Sequence, residues 1–262
     1  MPVKLLFVGD VVGGPGREAL SRELHRLVDR YCIDLVVVNG ENAAGGFGLT
    51  EDKAKELFAL GVDVLTSGNH IWDKRESLPY IRRDERIVRP ANYPPGTAGR
   101  GSVVARTAGG VKIGILNLEG RIFMNSLDCP FRTADREIEL LKAETDLIFV
   151  DFHAEATSEK VALGWYLDGR VSAVVGTHTH VQTADERILP GGTAYLTDAG
   201  MTGSFDSVIG IKKELAIERF VTLMPVRFEV AKKDIRLNGA VIEIDEASGK
   251  ALAIERISLS CS

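Results

Sequence analysis

Short runs of β-branched and other apolar residues recur along the chain as far as residue 197, and helical patterns separate several of them. The runs cover residues 3–8, 35–38, 62–66, 111–116, 147–150, 172–175 and 194–197. Between the first two runs, Leu20, Leu24 and Leu27 recur at spacings of three and four, which predicts a helix with one apolar stripe against a sheet. Short strands that alternate with such helices indicate an α/β fold.

The end of the chain has a different pattern. Residues 220–230, 238–245 and 252–259 alternate or run apolar with only turns between them. This pattern predicts antiparallel strands, which could complete a sheet or form an oligomer interface. The Pro- and Gly-rich residues 89–101 are interpreted as an ordered loop. No internal repeat divides the chain, and we expect residues 1–262 to form a single domain.

The composition excludes several classes of function. The formal net charge is −5, which argues against a general nucleic-acid binder because phosphate contacts need a basic face. No apolar run is long enough for a signal peptide or a membrane span, so we expect a cytoplasmic protein without membrane association. Cys32, Cys129 and Cys261 share no CxxC spacing, which indicates neither a disulfide framework nor a thiolate metal site.

A polar segment follows each of five predicted strands. These segments are Gly9-Asp10, Asn39-Gly40-Glu41-Asn42, Ser67-Gly68-Asn69-His70, Asp151-Phe152-His153 and Gly176-Thr177-His178-Thr179-His180. Ligands of open α/β sheets bind beyond the carboxyl ends of the strands, so the five segments are expected to converge. Four of the five histidines lie in them. The fifth, His25, lies beside the apolar stripe of the first helix and is interpreted as a solvated residue.

The converging side chains have the chemistry of a divalent-metal site. Apart from Asn39 and Asp151, which lie nearest their strands, they comprise two carboxylates, two amides and four imidazoles, which are Asp10, Glu41, Asn42, Asn69, His70, His153, His178 and His180. Carboxylate oxygen mixed with imidazole nitrogen suits Mn, Fe or Zn better than Ca, and the lack of cysteine argues against a structural zinc site. This set exceeds what one ion needs. A binuclear centre that shares one carboxylate is therefore the simplest interpretation.

Taken alone, each of these residues has a structural alternative. Asp10 could cap the helix that follows it, Glu41 could belong to a turn, and Asn69 could be a left-handed turn residue. An isolated histidine near a strand end commonly donates to a backbone carbonyl. His178 and His180 are harder to explain in this way, because an i, i+2 pair in an extended chain directs both rings to one side.

A dinucleotide-binding turn is a rival interpretation of the first loop. Gly14-x-Gly16-x-x-Ala19 satisfies the glycine fingerprint, and Glu41 lies at about the distance of a ribose-binding acid. However, residues 10–13 separate the strand from the first glycine, and an acid at the strand end would repel a pyrophosphate. The rival also leaves the other four polar segments unexplained.

The ordered set of segments resembles the calcineurin-like metallophosphoesterases. That superfamily is marked by GDxH, a second GD-containing segment, GNH, an isolated His and GHxH, and the counterparts here span roughly residues 5–205. Val12 stands where the superfamily has its first histidine, and Glu41 stands where it usually has a bridging aspartate. With residues 41–46, 89–94 and 206–210, these departures resemble the bacterial YmdB-type branch, whose members are described as cyclic-nucleotide phosphodiesterases.

The resemblance implies a fold, a cofactor and a set of ligands. The fold is a calcineurin-like four-layer sandwich, with two mixed β-sheets flanked by helices. The cofactor is a pair of divalent or transition-metal ions per chain, with Fe or Mn first and Zn or Mg as alternatives. The implied ligands are Asp10, Asn42 and His180 for one ion and Asn69, His153 and His178 for the other, with Glu41 as the bridge. His70 is implied to be a catalytic residue that is not a primary ligand.

The implied activity is that of a metal-dependent phosphoric diester hydrolase. Its substrates would be small phosphodiesters such as 2′,3′- or 3′,5′-cyclic AMP, with attack on phosphorus by a metal-bridged hydroxide and protonation of the leaving alkoxide by His70. Arg121, Thr202 and Ser204 are expected to contact phosphate or ribose, or equally to form surface or subunit contacts. We also expect a homo-oligomer. Two alternatives stay open: a phosphomonoesterase, and a regulatory metal-binding scaffold that acts through an RNA-processing or signalling partner.

Overall fold

The computed structural model describes residues 2–261. The strands are β1 (Pro2–Val8), β2 (Leu35–Asn39), β3 (Val64–Thr66), β4 (Ser102–Arg106), β5 (Lys112–Glu119), β6 (Ile148–His153), β7 (Ala173–Thr177), β8 (Arg187–Ile188), β9 (Ala194–Leu196), β10 (Gly203–Ser204), β11 (Ile235–Asp245) and β12 (Ala251–Ser260). The helices are α1 (Gly13–Tyr31), α2 (Glu51–Ala59), α3 (Leu78–Arg83), α4 (Pro130–Lys142), α5 (Thr157–Leu167) and α6 (Lys213–Thr222). None of the helices in residues 2–261 is long and apolar enough to cross a bilayer.

The strands form two mixed sheets. The first sheet has the order β10-β11-β1-β2-β3, with β12 paired to β11, and its parallel part is β1, β2 and β3. The second sheet has the order β4-β5-β6-β7-β9-β8, in which only the edge strands β4 and β8 run antiparallel to their neighbours. The predicted α/β class with two mixed sheets is confirmed.

Alternating side chains of β1 explain why the fold has four layers. Leu5 and Phe7 point into the core between the sheets, where the ring of Phe7 lies 4.9 Å from that of Phe149. Leu6 and Val8 point to the opposite face and pack with the apolar stripe of α1. On the far side, α4 and α5 cover the second sheet through a further apolar cluster. The order of layers is therefore helix, sheet, sheet, helix, as predicted.

A buried carboxylate joins the carboxyl ends of the two sheets. Asp151 of β6 accepts a hydrogen bond from Asn39 of β2 at 3.0 Å and one from Thr66 of β3 at 2.5 Å. Thr177 of β7 donates to its other oxygen at 2.7 Å. Burial raises the pKa of Asp151 to about 7, although these hydroxyls and His153 favour the charged form. The strand ends that precede the polar segments are thus fixed relative to one another.

Most of the predicted strands are present, and one is wrong. Residues 238–245 and 252–259 fall in the antiparallel pair β11 and β12, which completes the first sheet. Residues 220–230 do not form a strand, because α6 runs to Thr222 and an irregular segment follows. The helix formers of Lys213–Thr222 override the alternation that begins at Phe220. Strand β4 follows directly after the loop 89–101, and the two-residue strands β8 and β10 were not predicted.

The first strand ends in a very close backbone contact. A Cβ on Gly9 would lie 1.9 Å from the carbonyl oxygen of Gly200, so only glycine fits between β1 and the segment that follows β9. A Cβ on Gly14, in the first turn of α1, would meet no atom within 4 Å. Two glycines of the same loop region therefore have opposite tolerance for a methyl group.

We expect Gly9→Ala to lower the free energy of unfolding by about 1–3 kcal/mol, because the backbone of the 199–202 segment must move. Gly14→Ala is the matched control and should leave the free energy unchanged or raise it by about 0.4–1 kcal/mol. Urea unfolding of both variants, prepared without metal, measures the difference. Equal midpoints would show that the Gly9 contact is not a constraint.

Candidate metal centre

The five polar segments converge at one edge of the two sheets. The first sheet contributes Asp10, Glu41, Asn42, Asn69 and His70, and the second sheet contributes His153, His178 and His180. Asp10 and His153 are fully buried, and Glu41 and Asn42 are nearly so. Buried carboxylates and imidazoles at such density need mutual pairing or a cation.

One set of donor atoms surrounds Nε2 of His153. It lies 3.0 Å from Oδ1 of Asn69, 3.0 Å from Nδ1 of His178 and 3.3 Å from Oε1 of Glu41. Ligand atoms of Glu41, His153 and His178 all lie within 4.8 Å of one another, which suits a single cation. A Cβ on Gly68 would lie 2.2 Å from the His153 ring, so the residue before Asn69 must be glycine.

A second group of potential metal ligands contains two oxygen atoms that have no hydrogen-bond partner. Oδ1 of Asp10 and Oδ1 of Asn42 are buried and accept no hydrogen bond. Nδ2 of Asn42 lies 3.3 Å from Nε2 of His180, and Oδ1 of Asp10 lies 3.8 Å from Nδ1 of His153. Buried oxygens without a partner are costly, and a bound cation would satisfy both. The residues present therefore fit a metal ion here as well.

One ring nitrogen of each of His153, His178 and His180 contacts a neighbouring oxygen, which fixes the orientation of the ring. The outer contacts are His153 Nδ1 to Thr177 Oγ1 at 2.9 Å, His178 Nε2 to Glu155 Oε2 at 3.1 Å, and His180 Nδ1 to the Ile209 carbonyl at 2.9 Å. When the outer nitrogen donates, the other nitrogen carries the lone pair that a metal needs. In each case that other nitrogen is the one near the remaining ligands. Glu155 was missed by the sequence analysis, although it lies only two residues after His153.

Glu41 and His153 shift each other's pKa in opposite directions. Burial raises the pKa of Glu41, but His153 and the backbone N–H of His70 outweigh it and lower the pKa to about 2. Burial lowers the pKa of His153, but Glu41 and Asp10 outweigh it and raise the pKa to about 9. For His178, burial and the charge of His153 lower the pKa to about 3, so its ring is neutral. A cation bound beside Glu41 would take the place of the His153 proton.

His70 lies at the entrance to this centre. Its backbone N–H donates to Oε2 of Glu41 at 3.1 Å, and its Nδ1 lies 2.8 Å from Oδ2 of Asp73. The Asp73 contact fixes Nδ1–H and leaves Nε2 as the nitrogen available to a substrate. This arrangement is suited to proton transfer.

The loop that carries His178 and His180 differs from the predicted geometry. Both residues have left-handed backbones, with φ of 100° and 66°, so the argument from an extended i, i+2 pair is wrong. Their rings nevertheless reach the same centre. A non-glycine residue persists in this conformation only where its surroundings hold it there.

A buried ion pair supplies that constraint. Nζ of Lys160 lies 2.5 Å from Oδ2 of Asp198 and donates to the Thr177 carbonyl at 2.7 Å. The same oxygen of Asp198 accepts hydrogen bonds from the backbone N–H and the hydroxyl of Thr179, at 3.2 and 2.8 Å. Asp198 follows the predicted strand 194–197, so the strand-end rule could have found it. Lys160 lies within α5 and carries no such signal.

A cleft of about 350 Å³ opens onto the centre. Its lining includes Glu41, Asn42, His70, His178 and His180. Of the described residues that line it, none is Lys or Arg, and Glu155 adds a carboxylate. Any positive charge for an anionic substrate must therefore come from bound metal or from protonated imidazole.

The three predicted substrate contacts do not line this cleft. Thr202 is buried and donates through its hydroxyl to the Asn238 carbonyl at 3.1 Å. Ser204 is buried and donates to the Lys233 carbonyl at 2.5 Å. Arg121 is exposed, and its backbone N–H donates to the Glu159 carboxylate. Their roles in substrate binding stay predictions.

Comparison with known proteins gives consistent matches over nearly the whole chain. A family model described as YmdB-like protein matches residues 6–257. A Bacillus subtilis (strain 168) protein named 2′,3′-cyclic-nucleotide 2′-phosphodiesterase is 52% identical over 258 residues, which cover 98% of this chain and 97% of that protein.

Two solved structures are similar in fold and sequence. A hypothetical protein from Thermus thermophilus has a TM-score of 0.91 and 45% identity, covering 98% of this chain and 99% of that one. A protein described as a novel phosphatase from Mycoplasma pneumoniae has a TM-score of 0.93 and 38% identity, covering 99% of this chain and 94% of that one.

We expect Lys160→Met to lower the free energy of unfolding by about 3–5 kcal/mol, because it leaves the Asp198 carboxylate buried without its cation. Removing both charges in Lys160→Met/Asp198→Leu should restore part of this loss. Lys213→Met is the matched control, since Lys213 pairs with Asp206 at the surface and screening by solvent makes such pairs weak. Thermal and urea unfolding measure the three variants. A loss in the control equal to that of Lys160→Met would contradict a special role for the buried pair.

Proposed function

The chain belongs to the YmdB-like protein family, and on that premise we propose that it hydrolyses small phosphodiesters at the centre described above. The observation that carries this proposal is the convergence of carboxylate, amide and imidazole donors in which Asp10 and Asn42 keep buried oxygens without partners. Cyclic nucleotides are the proposed substrates. The name of the Bacillus relative supports the 2′,3′-cyclic class first, and 3′,5′-cyclic AMP is the second candidate.

We propose a binuclear centre. The proposed ligands are Asp10, Asn42 and His180 for one ion and Asn69, His153 and His178 for the other, with Glu41 between them. The mixed oxygen and nitrogen donors, without thiolate, favour Fe or Mn, with Zn or Mg as alternatives. When bound, two such ions supply a nucleophile at neutral pH and offset the charge that grows on the phosphoryl oxygens.

His70 is the proposed general acid. Asp73 accepts the hydrogen bond from Nδ1–H, so the imidazolium form of His70 can deliver its Nε2 proton to the oxygen of the leaving alkoxide and keep the proton on Nδ1. The hydrogen bond from its backbone N–H to Glu41 holds the residue beside the ligands without making it one of them. No side-chain nucleophile is needed for this reaction.

The side-chain charge of the cleft bears on the choice between a diester and a monoester. A phosphodiester carries one negative charge, whereas a phosphomonoester carries up to two near neutral pH. Among the described residues of the lining there is no Lys or Arg to pair with a second charge, and Glu155 would oppose it. Outside the proposed metal ions, the described part of the lining therefore offers no permanently cationic side chain for the second charge of a monoester, and the phosphomonoesterase stays the second candidate activity.

We further propose that residues 1–262 act as a single cytoplasmic domain that forms homo-oligomers. Ile217, Phe220 and Val221 of α6, with Leu223 directly after it, expose more than half of their surface. Contiguous exposed apolar side chains of this kind support self-association. The three cysteines are unpaired, which supports a reducing compartment.

We expect the purified protein to carry about two transition-metal ions per chain. Asp10→Asn should lower both the metal content and the hydrolysis of 2′,3′-cyclic AMP, because it removes one carboxylate ligand. Asp34→Asn is the matched control, since this exposed residue lies before β2, at the opposite end of the sheet. Elemental analysis and a product assay measure the outcome. Full metal content and activity in Asp10→Asn would contradict the assigned centre.

We expect His70→Gln to lower kcat for a cyclic nucleotide by about 10²–10⁴-fold while the metal content stays unchanged. The loss should be smaller for a nitrophenyl phosphodiester, whose leaving group needs no proton. His25→Gln, a change of the exposed histidine on α1, is the control. An equal loss on both substrates would exclude proton donation to the leaving group.

A further inference from the structure

The lining of the cleft has a polar part and an apolar part. The polar part carries the imidazoles and carboxylates of the centre. The apolar part, which we call the apolar wall, comprises Val12, Phe47, Ile209, Ile211 and Phe228. Phe47 is 37% exposed, Phe228 41% and Ile209 51%. Large apolar groups that stay open to solvent beside a polar site are typical of a ligand-binding surface.

A tight loop holds Phe47 at the cleft. Gly45, Gly46 and Gly48 have φ of 72°, 99° and 79°, a left-handed conformation that glycine adopts without strain. The loop closes where the backbone N–H of Ala44 donates to the Gly48 carbonyl at 2.9 Å. The Phe47 ring meets the His70 ring edge-on, with centroids 5.2 Å apart. Phe47 is therefore positioned directly beside the proposed general acid.

The segment that carries Phe228 is tied to the same loop. Val230, two residues further on, forms an antiparallel bridge with Ile211 of the apolar wall. The Val230 side chain packs so closely on Gly46 that a Cβ there would lie 2.8 Å from it. The supports of Phe47 and Phe228 therefore contact each other, and both rings flank one cleft.

The apolar wall is also joined to the metal ligands. The Ile209 carbonyl accepts the hydrogen bond from Nδ1 of His180, and Val12 lies between Asp10 and α1. A substrate whose phosphate lies at the ligands therefore has its remaining part next to apolar and aromatic groups. For a cyclic nucleotide, that part is the nucleoside.

We propose that Phe47 and Phe228 bind the nucleobase of the substrate by stacking, with Ile209 as an apolar contact; this inference rests on the proposed function. Every base has a π face, and stacking on aromatic side chains contributes affinity without reading hydrogen-bond edges. No Lys or Arg of the described residues lines the cleft, so side-chain affinity for the base would come from these apolar groups and not from a cation. The site accordingly selects nucleotide diesters over base-free diesters and tolerates different bases.

The test compares 2′,3′-cyclic AMP with the 2,3-cyclic phosphate of methyl riboside, which has the same reacting group and no base. We expect Phe47→Ala and Phe228→Ala each to raise KM for the nucleotide by about tenfold, with little change in kcat or in the kinetics of the base-free diester. Phe228→Tyr should retain the wild-type KM, because it keeps the aromatic face. Trp165→Ala, a change of an exposed ring on α5 that neither lines the cleft nor belongs to the exposed apolar face of α6, is the matched control.

A binding measurement separates this inference from the proposed activity. Calorimetry with adenosine 3′-monophosphate and its base-free counterpart reports base recognition whether or not hydrolysis occurs. If the wild-type protein hydrolyses neither diester but loses nucleotide affinity on Phe47→Ala and Phe228→Ala, the base site stands and the phosphodiesterase proposal fails. If it hydrolyses both diesters with equal kcat/KM, the base site is wrong and the activity stands. Equal losses on both diesters in Phe47→Ala would mean that the ring acts through His70, which also overturns the base site.

Discussion

The candidate centre depends on a buried carboxylate that is not one of its proposed ligands. Asp151 lies at the end of a strand in the second sheet and accepts hydrogen bonds from Asn39 and Thr66 of the first. Apolar side chains between the sheets fix their separation better than they fix their relative translation. The hydrogen bonds of Asp151, with that from the Ser67 N–H to Asn117, supply the directional part of the contact. The ligand atoms of the centre must lie within a few ångströms of one another, and this needs a directional contact such as the hydrogen bonds of Asp151. The relative positions of the polar segments that follow β2, β3 and β6 therefore depend on how these three strands end.

Much of the centre could be predicted because local patterns determine it. The side chains of β1 alternate between two apolar clusters, so the strand is recognisable as a continuous apolar run. The polar residue at its end is adjacent in sequence and can be identified with it. Asp10, Glu41 and His153 were found by that rule, and the structure brings them together. The polar segments could be predicted to lie together because the parallel strands end at the same edge of their sheet.

The parts that could not be predicted depend on long-range contacts. The left-handed residues His178 and His180 flank Thr179, which donates two hydrogen bonds to Asp198 at the end of a later strand. Lys160 lies within a helix, where a lysine is ordinarily exposed. The predicted strand at 220–230 is wrong for another reason: the helix formers of α6 continue to Thr222, and Phe220 and Val221 face solvent, so a pattern of burial does not apply to them.

The two sheets supply chemically different ligand atoms. All the proposed oxygen ligands, Asp10, Glu41, Asn42 and Asn69, follow strands of the first sheet, and all the nitrogen ligands, His153, His178 and His180, belong to the second. A cation coordinated by oxygen and nitrogen donors together would thus cross-link the two sheets. A cation that binds only the folded state stabilises that state by mass action. The supply of metal in the cell would then set the lifetime of the protein as well as its activity, so that scarcity reduces the amount of enzyme along with its turnover.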